Sequence, residues 1–261
     1  MKIKFTDTDS FVCQISDETA LKAITFLENE KYTRETAKDK IFINGVLPSF
    51  PGESWSRFFT NCYSISNFER IPLWTDIVCT GRCHCNCWHC FRSKHKNNED
   101  LELKTIASVM EEAKECGAVI IGITGGEPML RNDIVEVINC IPDGTEGQLY
   151  TTGINVNDQF YKKIENSNLT RCVISLDHYN KTTVNQRRNY KNAYSDAIRA
   201  ISILADTPLY VTVTLCLTKE LCSETELNNY LEFVCKLRAD EIRIILPVPQ
   251  GNLENKDDKR L

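Results

Sequence analysis

Residues 74–91 read WTDIVCTGRCHCNCWHCF, a strand-like run followed directly by a cysteine-rich loop. The run Trp74–Thr80 predicts a strand, and the loop carries Cys83, Cys87 and Cys90 in the spacing C-x3-C-x2-C. In parallel α/β proteins the chemistry lies just beyond the carboxyl ends of the strands. A cysteine motif in this position is therefore a candidate functional loop.

Downstream of this loop, strand-like and helix-like segments alternate. The segment 101–117 predicts a helix, because its apolar residues recur at three- and four-residue steps. The predicted strands are 74–80, 118–124, 148–152, 171–177, 208–217 and 241–248, and the predicted helices are 101–117, 132–141, 157–166, 192–205 and 223–237. Six strands alternating with five helices imply a parallel sheet with right-handed crossovers. We predict an α/β fold, a partial (β/α)6 TIM-like barrel with a parallel sheet.

The first 70 residues have a different and less regular pattern. Ala20–Leu27 suggests a short helix and Lys40–Val46 a short strand, and the segment 47–64 is turn-rich and aromatic. We therefore predict two units, an N-terminal extension or small subdomain at 1–70 and the barrel at 71–261.

Composition limits the classes of function. Of the 261 residues, 42% are apolar and 26% are charged, which is typical of a globular protein, and the formal net charge of −5 gives no sign of nucleic-acid binding. No run approaches the roughly 20 apolar residues that cross a bilayer. The N-terminus has no apolar core of signal-peptide length. We expect a cytoplasmic protein with no membrane or nucleic-acid partner.

The chain has 13 cysteines, and five of them lie between Cys79 and Cys90. An odd number and a tight cluster argue against disulfides and favour metal or redox chemistry. Three thiolates on one loop can hold an iron–sulfur cube and leave its fourth iron open. A structural zinc site could instead use four of the five thiols. Such sites usually draw cysteine pairs from two loops, and no second pair follows, which favours the iron–sulfur cluster over zinc.

The order of three motifs resembles the radical S-adenosylmethionine (radical SAM) superfamily. The cysteine loop follows the first strand, Gly125-Gly126-Glu127-Pro128 follows the second, and Ser175-Leu176-Asp177 ends the fourth. The resemblance runs from about residue 74 to 251. It implies a [4Fe-4S] cluster on Cys83, Cys87 and Cys90, the catalytic centre. Cys85 stands where the family usually has an apolar residue, so the resemblance implies that it is a bystander. In this family S-adenosylmethionine binds the open iron, and its reductive cleavage gives a 5′-deoxyadenosyl radical that abstracts a hydrogen atom from the substrate.

The resemblance also assigns cofactor-binding residues near the first three strands. The backbone of His89, before the last cysteine, is expected to contact the adenine. The turn Gly125–Glu127 is expected to receive the methionyl amine, although the same sequence could form a plain tight turn with a helix-capping acid. Thr152 stands where the family often has asparagine, and its hydroxyl can still form a hydrogen bond.

The fourth and sixth strands carry the remaining candidates. Ser175 and Asp177 are expected to bind the ribose hydroxyls or the methionyl carboxylate. Arg187 follows Ser175 by twelve residues and suits a bidentate carboxylate clamp. It is favoured over Arg188 by spacing alone, and a solvated pair of surface charges is the alternative. The turn 246–251 could line the adenine pocket or simply reverse the chain.

These expectations describe an enzyme that acts on a peptide or a small molecule and receives electrons from a donor such as flavodoxin or ferredoxin. The motif spacing leans toward enzymes that modify peptides, many of which carry a cysteine-rich C-terminal extension that this sequence lacks. The chain is therefore either a compact member or part of a longer one. The extension 1–70 could recognise a leader peptide or cover the underside of the barrel. The alternatives are a cofactor-biosynthesis enzyme related to the molybdenum-cofactor cyclase, and a non-catalytic zinc or iron–sulfur binding module.

Overall fold

The structure is a computed structural model that describes residues 34–35, 40–95, 97 and 99–255. The predicted helix Ala20–Leu27 lies outside the described residues. The strands are β1 (Arg34–Glu35), β2 (Ile41–Phe42), β3 (Trp74–Thr80), β4 (Ile120–Gly125), β5 (Glu146–Thr151), β6 (Leu169–Ser175), β7 (Tyr210–Cys216) and β8 (Glu241–Ile245). The α-helices are α1 (Glu53–Ser66), α2 (Leu103–Glu115), α3 (Ile134–Asn139), α4 (Asp158–Ile164), α5 (Lys181–Arg188), α6 (Ala193–Ala205) and α7 (Glu224–Lys236).

Strands β3 to β8 form one parallel sheet in which the spatial order equals the chain order. Each strand is joined to the next by a helical crossover, so the predicted α/β fold is confirmed. Within the described part of the chain, β3 and β8 are the two edges of this sheet, and the barrel is therefore partial. None of the helices that the structure describes combines the length and the apolar character needed to cross a bilayer.

The main core lies between the sheet and the helices that cover its outer face. Ile106 and Met110 of α2 and Ala197 and Ile201 of α6 are fully buried in it. All seven residues of β7 are buried, as expected for an inner strand of a parallel sheet. Packing on the outer face leaves the inner face and the carboxyl ends of the strands available for a site.

Residues 40–66 pack beneath the sheet, at the amino ends of β5 and β6. Glu146 and Arg171, at these ends, form a buried ion pair. Ser49 and Ser54 donate hydrogen bonds to the Glu146 carboxylate, at 2.7 and 2.8 Å between the oxygens, and Arg171 donates to the carbonyl of Leu47. This segment covers the underside of the barrel, opposite the cysteine loop.

The segment 47–64 differs from the expectation of a turn-rich stretch, because α1 occupies most of it. Trp55, which is 1% exposed, is packed against Phe50 and Phe59, so the aromatic residues form a second small core. The predicted strand Lys40–Val46 is shorter than expected and comprises only β2. The boundary between two units at residue 70 stays a prediction.

Candidate functional site

A cavity of about 530 Å³ opens at the carboxyl ends of the parallel strands. Every strand of the main sheet contributes to its wall, through Val78, Thr124, Tyr150, Ser175, Thr214 and Ile245. Nine of the expected site residues also line it: Cys83, Cys87, His89, Cys90, Gly125, Gly126, Thr152, Ser175 and Asp177. The expected residues Glu127 and Arg187 are not part of the wall. Motifs that are far apart in the sequence therefore meet around one cavity.

The cysteine loop is held on one side by the C-terminal end of α5. The backbone N–H of Asn86 donates to the carbonyl of Arg188 at 3.0 Å, and that of Trp88 donates to the carbonyl of Arg187 at 3.1 Å. The last carbonyls of a helix have no partner within the helix. Here they accept from the loop, which fixes the segment that carries Cys87.

Asn252 holds the same loop from the other side. Its side-chain Nδ2 donates to the carbonyl of Cys87 at 2.7 Å, and its backbone N–H donates to the carbonyl of Cys90 at 3.0 Å. The preceding Gly251 has a φ of 59°, and a Cβ there would lie 2.2 Å from the carbonyl oxygen of Cys90. The chain after β8 therefore closes directly over the cysteine loop, an arrangement that sequence reasoning did not identify.

The turn after β4 lies against the start of the cysteine loop. A Cβ on Gly126 would lie 2.1 Å from the carbonyl oxygen of Arg82 and 2.9 Å from the Cβ of Cys83. The backbone N–H of Glu127 donates to the same Arg82 carbonyl at 2.8 Å. Glycine is thus required at position 126 for the two motifs to touch.

The Glu127 side chain has a structural role within the protein. It is 1% exposed and accepts hydrogen bonds from the hydroxyls of Thr151 and Thr152, at 2.6 and 2.7 Å, and from the backbone N–H groups of Thr152 and Met129. Burial raises the pKa of this carboxyl, although the hydrogen bonds act in the opposite direction. Glu127 joins the end of β4 to the end of β5, while the glycines before it face the cavity.

A buried ion pair lies beside the cysteine loop. Asp177 accepts from Nε and Nη2 of Arg188, each at 2.7 Å, and its other oxygen accepts from the backbone N–H of Cys216 at 3.1 Å. Burial alone would raise the pKa of Asp177, but the Arg188 guanidinium outweighs it and keeps the pKa below its usual value. The Nη1 of Arg188 lies 3.8 Å from the Sγ of Cys87.

Arg187, which the spacing favoured, points away from the cavity. Its guanidinium donates to Glu220 at 2.7 Å, to Thr218 at 3.3 Å and to the carbonyl of Asp177 at 3.2 Å. Consecutive residues of a helix project about 100° apart, so only one of the two arginines can face the cavity. In this structure that residue is Arg188.

A second group of side chains, His178, Glu220 and Glu226, has atoms close enough together to suggest a metal site. The Nδ1 of His178 accepts from the backbone N–H of Asn180 at 2.9 Å. The neutral ring must therefore carry its proton on Nε2, which faces Glu220 at 3.7 Å. Burial, followed by the nearby Arg187, lowers the pKa of His178. A protonated Nε2 cannot bind a metal, so we interpret this group as a polar cluster.

The thiols of the cysteine loop suit an iron–sulfur cluster. Three of them lie at the C-x3-C-x2-C spacing on one loop and face one cavity, and thiolates are the usual protein ligands of such clusters. Cys85 also lines the cavity, with its thiol in contact with those of Cys83 and Cys87. The fold and the site together define a partial α/β barrel protein with a cysteine-lined cavity, suited to a metal cluster, at the carboxyl ends of its strands.

The sequence profile of the radical SAM superfamily matches residues 77–222, more than half of the chain, and the chain belongs to this superfamily. Its members bind a [4Fe-4S] cluster and S-adenosylmethionine, so the expected cofactors are confirmed at the level of the family.

Two curated relatives illustrate the range of this similarity. A probable GTP 3′,8-cyclase of Archaeoglobus fulgidus is 30% identical over 111 residues, covering 42% of this chain and 37% of that protein. An AdoMet-dependent heme synthase of Methanosarcina barkeri is 25% identical over 200 residues, covering 75% of this chain and 55% of that protein. The chain therefore spans between about a third and just over half of the length of these relatives.

Solved structures share the fold. Streptococcus suis SuiB bound to its precursor peptide SuiA superposes with a TM-score of 0.62 at 17% identity, covering 78% of this chain and 46% of that one. SuiB bound to S-adenosylmethionine superposes with a TM-score of 0.61 at 16% identity, covering 74% and 45%.

Proposed function

We propose that the protein reductively cleaves S-adenosylmethionine and abstracts a hydrogen atom from a peptide or small-molecule substrate. The observation that carries this proposal is the convergence of Cys83, Cys87 and Cys90 with the glycine turn on one cavity, in a chain of the radical SAM superfamily. When bound, the cluster would supply the electron for reductive cleavage of S-adenosylmethionine, the source of the radical that takes the hydrogen atom.

The residues of the cavity divide this work. Cys83, Cys87 and Cys90 would hold the cluster through their three thiolates. The backbone of Gly125 and Gly126 binds the methionyl amine, because two residues without side chains let a ligand approach closely.

The remaining polar groups orient the cofactor. His89 contacts the adenine through its backbone, and Thr152 and Ser175 offer hydroxyls to the ribose or the methionyl group. The Asp177–Arg188 pair provides the charged side of the cavity. We assign the guanidinium of the site to Arg188 in place of Arg187, since Arg188 is the one on the wall.

The rest of the wall supports a substrate with an apolar surface. Phe91, Ile245, Leu246 and Val248 are exposed apolar side chains on the wall near the edge of β8. They can bury apolar substrate surface at about 25 cal/mol per Å². We infer that the substrate reaches the cavity along this edge.

Two classes of substrate remain. The likeness to SuiB with its precursor peptide favours a peptide, and the motif spacing agrees with it. The similarity to a probable GTP 3′,8-cyclase and to a heme synthase favours a small molecule of cofactor biosynthesis as the second candidate. A flavodoxin or ferredoxin is the proposed electron donor for either, because each delivers single electrons.

Anaerobic reconstitution with iron and sulfide tests the proposal. The protein should become brown with about four irons per chain, and dithionite with S-adenosylmethionine should yield 5′-deoxyadenosine. Cys87→Ala should lose both the iron and the product. Cys85→Ala, the matched control on the same loop, should keep both. A colourless zinc protein that yields no 5′-deoxyadenosine would contradict the proposal.

The rate at which 5′-deoxyadenosine forms also distinguishes the two substrate classes. Wild-type protein should form 5′-deoxyadenosine faster when its substrate is present. Short apolar peptides and nucleoside triphosphates can be compared at equal concentration, and the class that accelerates formation is the substrate class.

A further inference from the structure

The Asp177–Arg188 pair directs a hydrogen-bond donor at the cysteine loop. Asp177 takes the edge of the guanidinium formed by Nε and Nη2, which leaves Nη1 directed at the Sγ of Cys87 at 3.8 Å. This separation is within the range of an N–H···S hydrogen bond. The positive group therefore lies next to one of the three expected cluster ligands.

The surroundings fix the Arg188 side chain in this position. Arg188 and Asp177 are 8% and 1% exposed, so little solvent screens their charges. The carbonyl of Arg188 accepts from the N–H of Asn86, and Asp177 accepts from the N–H of Cys216. The guanidinium is thus held from its backbone at one end and from its carboxylate partner at the other.

We propose that Arg188 is a positioning residue that donates a hydrogen bond to the Cys87 thiolate and raises the reduction potential of the cluster on this loop. This inference rests on the proposed function, since it requires a cluster. Hydrogen bonds to ligand sulfurs and nearby positive charge stabilise the reduced, more negative form of an iron–sulfur cluster. Asp177 offsets part of the charge but binds the guanidinium at the edge away from the sulfur.

Arg187 provides a matched control. It is the neighbouring residue on α5, carries the same charge and has a similar exposure, 7% against 8% for Arg188. Its guanidinium pairs with Glu220 and is not on the cavity wall. Comparing variants of the two arginines therefore distinguishes the effect of contact with Cys87 from the effect of positive charge on α5.

The experiment is a redox titration of the reconstituted cluster, followed by electron paramagnetic resonance without S-adenosylmethionine, on protein of known iron content. The variants are Arg188→Gln/Asp177→Asn, in which neither charge remains unpaired, Asp177→Asn and Arg187→Gln. We expect a lower midpoint potential for the double variant, a higher one for Asp177→Asn, and the wild-type value for Arg187→Gln.

Several outcomes would overturn the inference. One is a double variant that has full iron and the wild-type potential. This outcome overturns the inference even if the double variant binds S-adenosylmethionine more weakly. Another is an equal shift in Arg187→Gln. If the double variant takes up no iron, Asp177→Asn decides, and an unchanged potential there rejects the inference. Wild-type protein that takes up no iron would instead reject the proposed function.

Discussion

Replacing Gly126 by alanine is expected to weaken retention of the cluster, because the added methyl group collides with the cysteine loop. The new Cβ would lie 2.1 Å from the carbonyl oxygen of Arg82, whereas real contacts of this kind are not shorter than 3.0 Å. The turn and the loop must therefore separate by about 0.9 Å, the difference between these two distances. Neither Arg82 O nor the Cβ of Cys83, at 2.9 Å, is the flexible end of a side chain.

The energetic cost follows from this overlap. Overpacking of this kind destabilises a protein by roughly 1–3 kcal/mol. For a chain of this size each kcal/mol lowers the melting temperature by about 2–4 °C. The displacement falls on the residue before Cys83, so we expect the loss of iron to exceed what the change in stability alone would cause.

The assay is the iron content after anaerobic reconstitution, together with the rate at which a chelator removes the iron. Gly52→Ala is the control, because the one close neighbour of its Cβ would be the flexible end of Lys40, at 2.9 Å, while Ser49 and Ser54 would lie at ordinary contact distances of 3.6 and 3.7 Å. The control should retain iron as the wild type does. If Gly126→Ala also bound and released iron like the wild type, the contact between the two motifs would not matter for the cluster.

Three further predictions concern the contact of Asn252 with the cysteine loop and the buried Glu146–Arg171 ion pair beneath the sheet. Asn252→Ala removes the hydrogen bond to the carbonyl of Cys87, worth about 0.5–1.5 kcal/mol, and should speed the removal of iron by a chelator. An unchanged rate would show that this hydrogen bond does not support the loop. Burial acts to raise the pKa of Glu146, but Arg171 outweighs it and holds the pKa below its ordinary value of 4.5, so the ionised group stabilises the fold above pH 4.5 and this contribution is lost as the pH falls through the lower folded-state pKa. The difference in unfolding free energy between cluster-free wild type and Glu146→Gln should therefore shrink between neutral pH and about pH 3, and a constant difference would refute the assignment. Arg171→Met leaves Glu146 buried without its cation and should cost roughly 3–5 kcal/mol in urea unfolding, and Arg171→Met/Glu146→Gln should recover part of this loss.

The sheet was predictable from the sequence because some of its strands lie in apolar runs, such as residues 118–124 around β4. The predicted strand 208–217 contains β7, all of whose residues are buried, and the predicted helix 101–117 contains α2. A continuous apolar run and a 3.6-residue period both result from burial, so each can be recognised in the sequence alone. The cysteine motif and the glycine turn were recognisable because each follows such a strand.

Helix α5 could not be predicted in the same way, since Val184 is the only apolar residue among its eight. Its ends are set locally, by the Asn180 side chain, which accepts from the N–H of Thr183, and by Asn189 in a left-handed conformation. Without a periodic apolar face, the sequence could not reveal which of Arg187 and Arg188 faces the cavity.

The role of the Glu127 side chain was also beyond the sequence. The motif placed its turn correctly after β4, but the hydroxyl partners of the carboxylate come from β5 and its end. Such a contact depends on how β4 and β5 pair, and the two strands are far apart in the sequence.

The hydrogen bond from Asn252 to the cysteine loop has a consequence for the order of events during synthesis. Asn252 comes 165 residues after Cys87, so nearly all of the described chain must leave the ribosome before the carbonyl of Cys87 gains this partner. A nascent polypeptide already displays every thiol of the loop while the loop still lacks its last support. We therefore expect the loop to hold iron and sulfide firmly only once residue 252 has been synthesised and has reached the carbonyl of Cys87.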